Sequence, residues 1–266
     1  MPAATDAPGP ASGGRSVDLG PPVRTLAAAA QDVTAVGPRF LAPSEVGEVG
    51  GAVVIVDVIR AFTTAAYAFG AGARHIQLVG TVAEALAFTA AHPGALAMGE
   101  DHGRRPDGFA LPNSPALAAA ADLDDRVLVQ RTSAGTQGVL AARSAERLWC
   151  TGLVTASATA AAVSGRGPGA PAYVITGRFA DRPDRSGDDD LATAELVERA
   201  RCGRPLEAAA TAARVAGSDE AARTLALGPG HVHPDDITLA ARVDAFDFAM
   251  EVERRVDGLR LTPRQP

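Results

Sequence analysis

Four clusters in this chain carry side chains that could act on an oxyanion. The first is Asp57 with Arg60, and the second is Gly99-Glu100-Asp101. The third is Asn113-Ser114-Pro115, and the fourth runs Arg131-Thr132-Ser133-Ala134-Gly135-Thr136. Asp57 and Glu100 are the candidate metal ligands, because Mg²⁺ takes one or two carboxylates and keeps several waters. Arg60, Arg131 and Arg178, at or near expected strand ends, offer planar, bidentate donors to phosphate or sulfonate oxygens. Thr132, Ser133, Gly135 and Thr136 make a hydroxyl-rich, flexible turn that can bind an anion without lysine. Asn113 and Ser114 set an amide and a hydroxyl beside a helix start, where unpaired N–H groups favour anions. Plainer readings stand beside these: turn acids in water, a Ser114 that only caps its helix, arginines that are surface charges. His231 and His233 share a face if extended, but Gly-Pro-Gly and Pro234 around them suit a loop more than a metal site.

Composition removes several classes of chemistry. All 25 basic residues are arginine, so a lysine-dependent P-loop and Schiff-base catalysis are excluded. Two distant cysteines, Cys150 and Cys202, make neither a zinc cluster nor a disulfide framework. Cys150 ends an apolar run and reads as a core residue. No Gly-x-Ser-x-Gly elbow is present, and Gly70-Ala71-Gly72 is a poor dinucleotide fingerprint. The net charge of −6 is spread along the chain and argues against a nucleic-acid partner. No apolar run reaches the ~20 residues of a membrane span, and no secretory signal is visible, so a cytoplasmic location is expected.

The elements that must hold these clusters alternate β and α. Val53–Val58 is a run of β-branched residues suited to a strand buried on both faces, with Asp57 near its carboxyl end. A helix follows from Thr63-Thr64 to Phe69. Further strands are expected at 75–79, 95–98, 126–130, 147–150 and 172–176, with helices between them. Gly80-Thr81 and Ser114-Pro115 mark helix starts, and Asp188-Asp189-Asp190 opens a helix where acids suit the dipole. Helices are expected at 206–215, 219–225 and 234–242, and late strands at 246–251 and 259–261. Residues 1–37, rich in Gly, Pro and Ala, read as a poorly ordered tail with a possible helical turn at 26–30. Residues 38–266 read as one layered α/β/α domain with a mostly parallel or mixed sheet. Asp57, Glu100, Thr132, Thr151 and Thr176 all fall at strand ends, which places them on one sheet edge, where α/β folds bind ligands.

Taken in order, Val-Asp57-Val-Ile-Arg60-Ala-x-Thr63-Thr64, Gly99-Glu100, Gly108-Phe109 with Asn113-Ser114-Pro115, and Thr132-Ser133-Ala134-Gly135-Thr136 resemble the 2-phosphosulfolactate phosphatase family. The similarity spans about Phe40 to Leu261. The resemblance implies an α/β phosphatase that removes phosphate from 2-phosphosulfolactate with Mg²⁺, giving sulfolactate on the route to coenzyme M. By motif it places Asp57, Arg60, Glu100, Asn113, Ser114, Thr132, Gly135 and Thr136 in the site. The acidic run 188–190 resembles the family's acidic helix start, without a fixed register. Phe62 and Ala134 depart from the residues expected at those positions.

The working expectation is Mg²⁺-assisted hydrolysis of a small anionic phosphoester. Asp57 and Glu100 bind the metal, directly or through water, and Arg60 neutralises phosphoryl charge. Water attacks in line, or Asp57 attacks first. The haloacid-dehalogenase pattern Asp-x-Asp is not met, because position 59 is Ile. Two rivals stand beside this reading: a phosphatase of another small acidic ester, and an inactive anion-binding homologue. The reading leaves room for a homodimer.

Overall fold

The computed structural model of the chain describes residues 39–164, 169–179, 181–182 and 185–266. The expected N-terminal tail and its helical turn lie outside the described residues. The body is α/β, with one mixed sheet of ten strands curled into a half-barrel.

The strands are β1 (Arg39–Leu41), β2 (Ala52–Val56), β3 (His75–Leu78), β4 (Leu96–Gly99), β5 (Leu111–Pro112), β6 (Val127–Arg131), β7 (Arg147–Thr151), β8 (Ala172–Ile175), β9 (Ala249–Arg255) and β10 (Gly258–Arg264). The helices are α1 (Ala61–Gly70), α2 (Val82–Ala91), α3 (Pro115–Ala120), α4 (Gly135–Ala141), α5 (Ala156–Ser164), α6 (Asp188–Arg201), α7 (Ala208–Ala216), α8 (Asp219–Leu225) and α9 (Asp236–Ala240). None is long and apolar enough to cross a membrane among the described residues.

The sheet order is β1-β8-β2-β7-β9-β10-β3-β6-β4-β5. It comprises two parallel halves, β1-β8-β2-β7 and β3-β6-β4-β5. The antiparallel hairpin β9–β10 is inserted between them and pairs antiparallel with β7 on one side and β3 on the other. The halves therefore run in opposite senses, which corrects the expectation of a single common edge. Five steps separate β2 from β6 in this order. At roughly 20–25° of twist per step, the sheet turns by about 100–125° between them. Residues that follow strands of both halves nonetheless line one cleft.

The β2 strand shows why four β-branched residues occur in a row. Val53 and Ile55 pack with Phe62, Leu148 and Met250 in one core layer, while Val54 and Val56 pack with Trp149, Leu153 and Tyr173 in the other. All four are fully buried, worth about 1.5–3 kcal/mol each. Helix α1 is buried around almost its whole circumference, as a helix with so little polar surface must be. It starts at Ala61, two residues before the expected Thr63, because the Asp57 carboxylate accepts the Ala61 N–H at 2.9 Å. Thr63 instead turns its hydroxyl back to the Val58 carbonyl. Thr81 caps α2 at the expected start and closes a capping box with Glu84, and Ser114 caps α3 as read from the sequence. The late strands, β9 and β10, are longer than expected, because their charged residues alternate with apolar ones that face the core.

Candidate active site

The carboxyl ends of both half-sheets line one cleft of about 540 Å³. Its floor is acidic. Asp57 follows β2, and Asp189 and Asp190 lie in the first turn of α6; all three are almost fully buried. Burial pushes the Asp57 carboxyl up to about 6, helped by the charges of Glu100 and Glu220. Burial also pushes Asp189 up to about 7, with Glu220 and Asp57 adding to the effect. Asp190 is raised too, by burial and by Asp189. Asp190 has a structural task as well. It accepts the Val58 and Gly177 N–H groups at 2.8 Å and the Thr176 hydroxyl at 3.1 Å, so it ties the β2 and β8 ends to α6. Among the described residues, no arginine bonds to Asp57 or Asp189.

Arg60 is buried in the same cleft. Its Nη1 donates to Asp236 Oδ2 at 3.0 Å and to the His231 carbonyl at 2.9 Å. Asp236 is fully buried and also accepts the Ser114 hydroxyl at 2.6 Å and the His233 N–H at 2.9 Å. Ser114 thus serves the clasp on Arg60 and the cap on α3. It does not line the cleft, whereas its neighbour Asn113 does, with a buried side-chain oxygen that lacks a partner among the described residues.

Glu100 enters from the opposite half-sheet. Its carboxylate accepts N–H groups from Ser133 and Gly103 and the Ser133 hydroxyl at 3.0 Å. Gly99 makes this possible. It has φ +134°, and a Cβ there would lie 2.0 Å from the Arg131 carbonyl oxygen. Arg131 stands behind this loop and outside the cleft lining. It donates to the Glu100 carbonyl, Asp101 and the Ser133 hydroxyl. Thr132 and Thr136 are buried and bond reciprocally, N–H to hydroxyl, at 2.9 and 3.0 Å. They shape the turn, while Ser133 and Ala134 face the cleft. Gly135 packs directly on Asp57.

The structure therefore brings together Asp57, Arg60, Glu100, Asn113, Ser133 and Gly135, and puts Ser114, Arg131, Thr132 and Thr136 behind them. Thr151 lies in a buried hydroxyl chain with Thr155 and Thr159, away from the cleft. Phe62 is core and does not touch the cleft; Ala134 does. Arg178 bonds the Phe40 carbonyl and lies outside the lining, as do His231 and His233. Sequence reasoning missed Asp236, Glu220, Arg182, Arg185 and Arg223. Asp236 had one faint signal: an acid beside a helix start that also follows two histidines and a proline.

Among the described residues no group of three or more His, Cys, Asp or Glu is arranged to hold a metal ion. Mg²⁺ needs only one or two carboxylates. Asp57 and Asp189 are buried hard oxygen donors to which no arginine bonds among the described residues, and they fit such a cation.

A cleft that opposes buried carboxylates to a clasped arginine suits a hydrolase of phosphoric monoesters. Comparison with known proteins makes this specific: residues 40–254 match the family described as 2-phosphosulpholactate phosphatase, and the chain belongs to that family. A protein of Bacillus subtilis named "Probable 2-phosphosulfolactate phosphatase" is 34% identical over 215 residues, covering 80% of this chain and 90% of its own. One of the same name from Thermus thermophilus is 36% identical over 146 residues, 54% of this chain and 59% of its own. Another, from Thermoplasma acidophilum, is 27% identical over 198 residues, 74% and 84% of the two chains.

Proposed function

We propose that the protein hydrolyses 2-phosphosulfolactate to sulfolactate and phosphate with Mg²⁺. The observation that carries this reading is the pairing of two buried carboxylates, Asp57 and Asp189, with Arg60 in one cleft of a chain from this family. Asp57 and Asp189 would hold the metal. Glu100, already bonded by Ser133 and Gly103, suits a contact through water. The bound cation would supply charge neutralisation at the phosphoryl oxygens. The chain's own residues do the rest. Arg60, fixed by Asp236, presents its remaining N–H groups to the phosphate. Asn113 and Ser133 offer further polar contacts beside it. Water is the nucleophile in this reading, because Asp57 is committed to the metal and to the Ala61 N–H.

A second reading is favoured by one observation. Ala134, a departure from the family pattern, lines the cleft. The same site with a reshaped pocket would take another small acidic phosphoester.

Phosphate release from 2-phosphosulfolactate and a panel of small phosphoesters, with Mg²⁺ and with chelator, separates these. Selective, Mg²⁺-dependent release from the sulfonated ester is expected. Release from other esters alone discards the substrate and keeps the chemistry. No release from any ester leaves an anion-binding homologue and overturns the reaction.

A further inference from the structure

Beside the acidic floor, the cleft lining carries a second kind of chemistry. Arg182 and Arg185 lie on the segment after β8, and Glu220 and Arg223 on α8. Arg185 Nη1 donates to Glu220 Oε2 at 2.6 Å, and Arg223 Nε donates to the same oxygen at 3.1 Å. Each guanidinium spends one donor on that oxygen. Their remaining N–H groups make no hydrogen bond to the described residues, and both side chains line the cleft. Two arginines on one glutamate leave one excess positive charge at this spot, while Arg182 in the same lining is balanced by its neighbour Asp181, and Asp219 lines the cleft beside Glu220. Planar guanidinium forks held in place suit a carboxylate or sulfonate.

The arrangement has little value as a stability device. Partly exposed ion pairs of this kind contribute little to stability. Arg185, Glu220 and Arg223 line the same cleft of about 540 Å³ as Asp57 and Asp189, so one small molecule can reach both groups. Arg60 is committed to the phosphate end by Asp236 and His231. Arg131 and Arg178, the other arginines near strand ends, lie outside the cleft lining and bond elsewhere.

We infer that Arg185 and Arg223, pinned by Glu220, form a second-anion subsite that binds the sulfonate or carboxylate of a substrate whose phosphate lies over Asp57 and Arg60. The inference rests on the proposed reaction for the identity of the ligand, and on the geometry for the site. It assigns discrimination between multiply charged and simple phosphoesters to these two side chains. Glu220 then has a defined role: it orients the pair and holds down their affinity.

The test uses the full chain with Mg²⁺, titrated calorimetrically with sulfolactate and, separately, with inorganic phosphate. R185Q and R223Q are each expected to weaken sulfolactate by about tenfold or more, the usual cost of a lost charged hydrogen bond, and to leave phosphate within about twofold. E220Q is expected to tighten sulfolactate. R185K and R223K keep the charge without the fork, so partial recovery identifies the planar contact and covers any glutamine variant that melts early. Unchanged sulfolactate binding in R185Q and R223Q, or no binding by the unaltered protein, overturns the subsite. Turnover of 2-phosphosulfolactate is measured alongside. Binding through these arginines without phosphate release sinks the reaction and supports the subsite. Release with binding indifferent to both substitutions does the reverse.

Discussion

Gly135 and Asp57 touch across the two halves of the sheet: a Cβ on Gly135 would stand 2.7 Å from Asp57 Oδ2 and 2.7 Å from the Ala61 Cβ. The carboxylate is thus held on one side by the Ala61 N–H and walled on the other by bare backbone. Gly135→Ala should displace Asp57. Overpacking of this kind costs about 1–3 kcal/mol in stability. Turnover should fall by about a hundredfold, as it does when reacting groups shift by about an ångström. Retained kcat/KM in a folded Gly135→Ala protein would show that the position of Asp57 does not matter to the chemistry.

Asp236 fixes Arg60, so removing its charge should harm both fold and site. Breaking a buried pair from one side costs about 3–5 kcal/mol. For a chain of this size that is a drop of about 10 °C in melting temperature. Asp236→Asn should also weaken inorganic phosphate more than tenfold, since Arg60 loses its anchor. A variant that melts lower but binds phosphate normally would reduce Asp236 to a structural residue.

The floor acids give the metal-free protein a distinctive pH dependence. Asp57 and Asp189 titrate near 3.8 when unfolded and at about 6 and about 7 when folded. The fold therefore holds their protons more tightly than the unfolded chain. Stability should fall as pH rises from about 4 to about 7, by roughly 3 kcal/mol for Asp57 alone. Mg²⁺ should offset the loss, increasingly so at higher pH, because it binds the ionised form. Melting curves from pH 4.5 to 8, with Mg²⁺ and with chelator, check this. A chelated protein that grows more stable over that range contradicts the reading of the floor.

Asp57→Asn separates function from stability. It removes one buried charge while the amide oxygen can still accept the Ala61 N–H. The metal-free variant should melt higher than the unaltered protein at pH 7.5 and lose the part of the pH slope that Asp57 contributes, keeping the part due to Asp189. It should also lose turnover by about a thousandfold or more and gain nothing from Mg²⁺. Survival of activity would remove Asp57 from the site's chemistry.

Local features of this fold are readable in the chain because they depend on near neighbours. Val53 to Val56 announce a doubly buried strand, and the Gly80-Thr81 and Ser114-Pro115 pairs mark helix starts. Asp57 and Glu100 are visible because acids at the ends of apolar runs stand out. The order of the sheet is not legible, since nothing in residues 249–264 says that they insert between β7 and β3. Arg131 reads as a ligand from its neighbours, yet its partners are the Glu100 carbonyl and Asp101, about thirty positions away. Asp236 and Glu220 escape notice for the same reason. Their meaning lies in arginines reached only through tertiary contacts, Arg60 for the one and Arg185 for the other.

The hairpin β9–β10 has a consequence for synthesis. The two half-sheets can form from residues 39–175, but each would then present an open edge, β7 on one and β3 on the other. Open edges of that kind invite pairing with other chains. They are closed only when residues 249–264 emerge from the ribosome and slot between the halves. The cleft is assembled at the same moment, because its walls belong to different halves. A nascent chain stalled before residue 249 would be inactive and adhesive at once, so this protein depends on its final strands being delivered promptly.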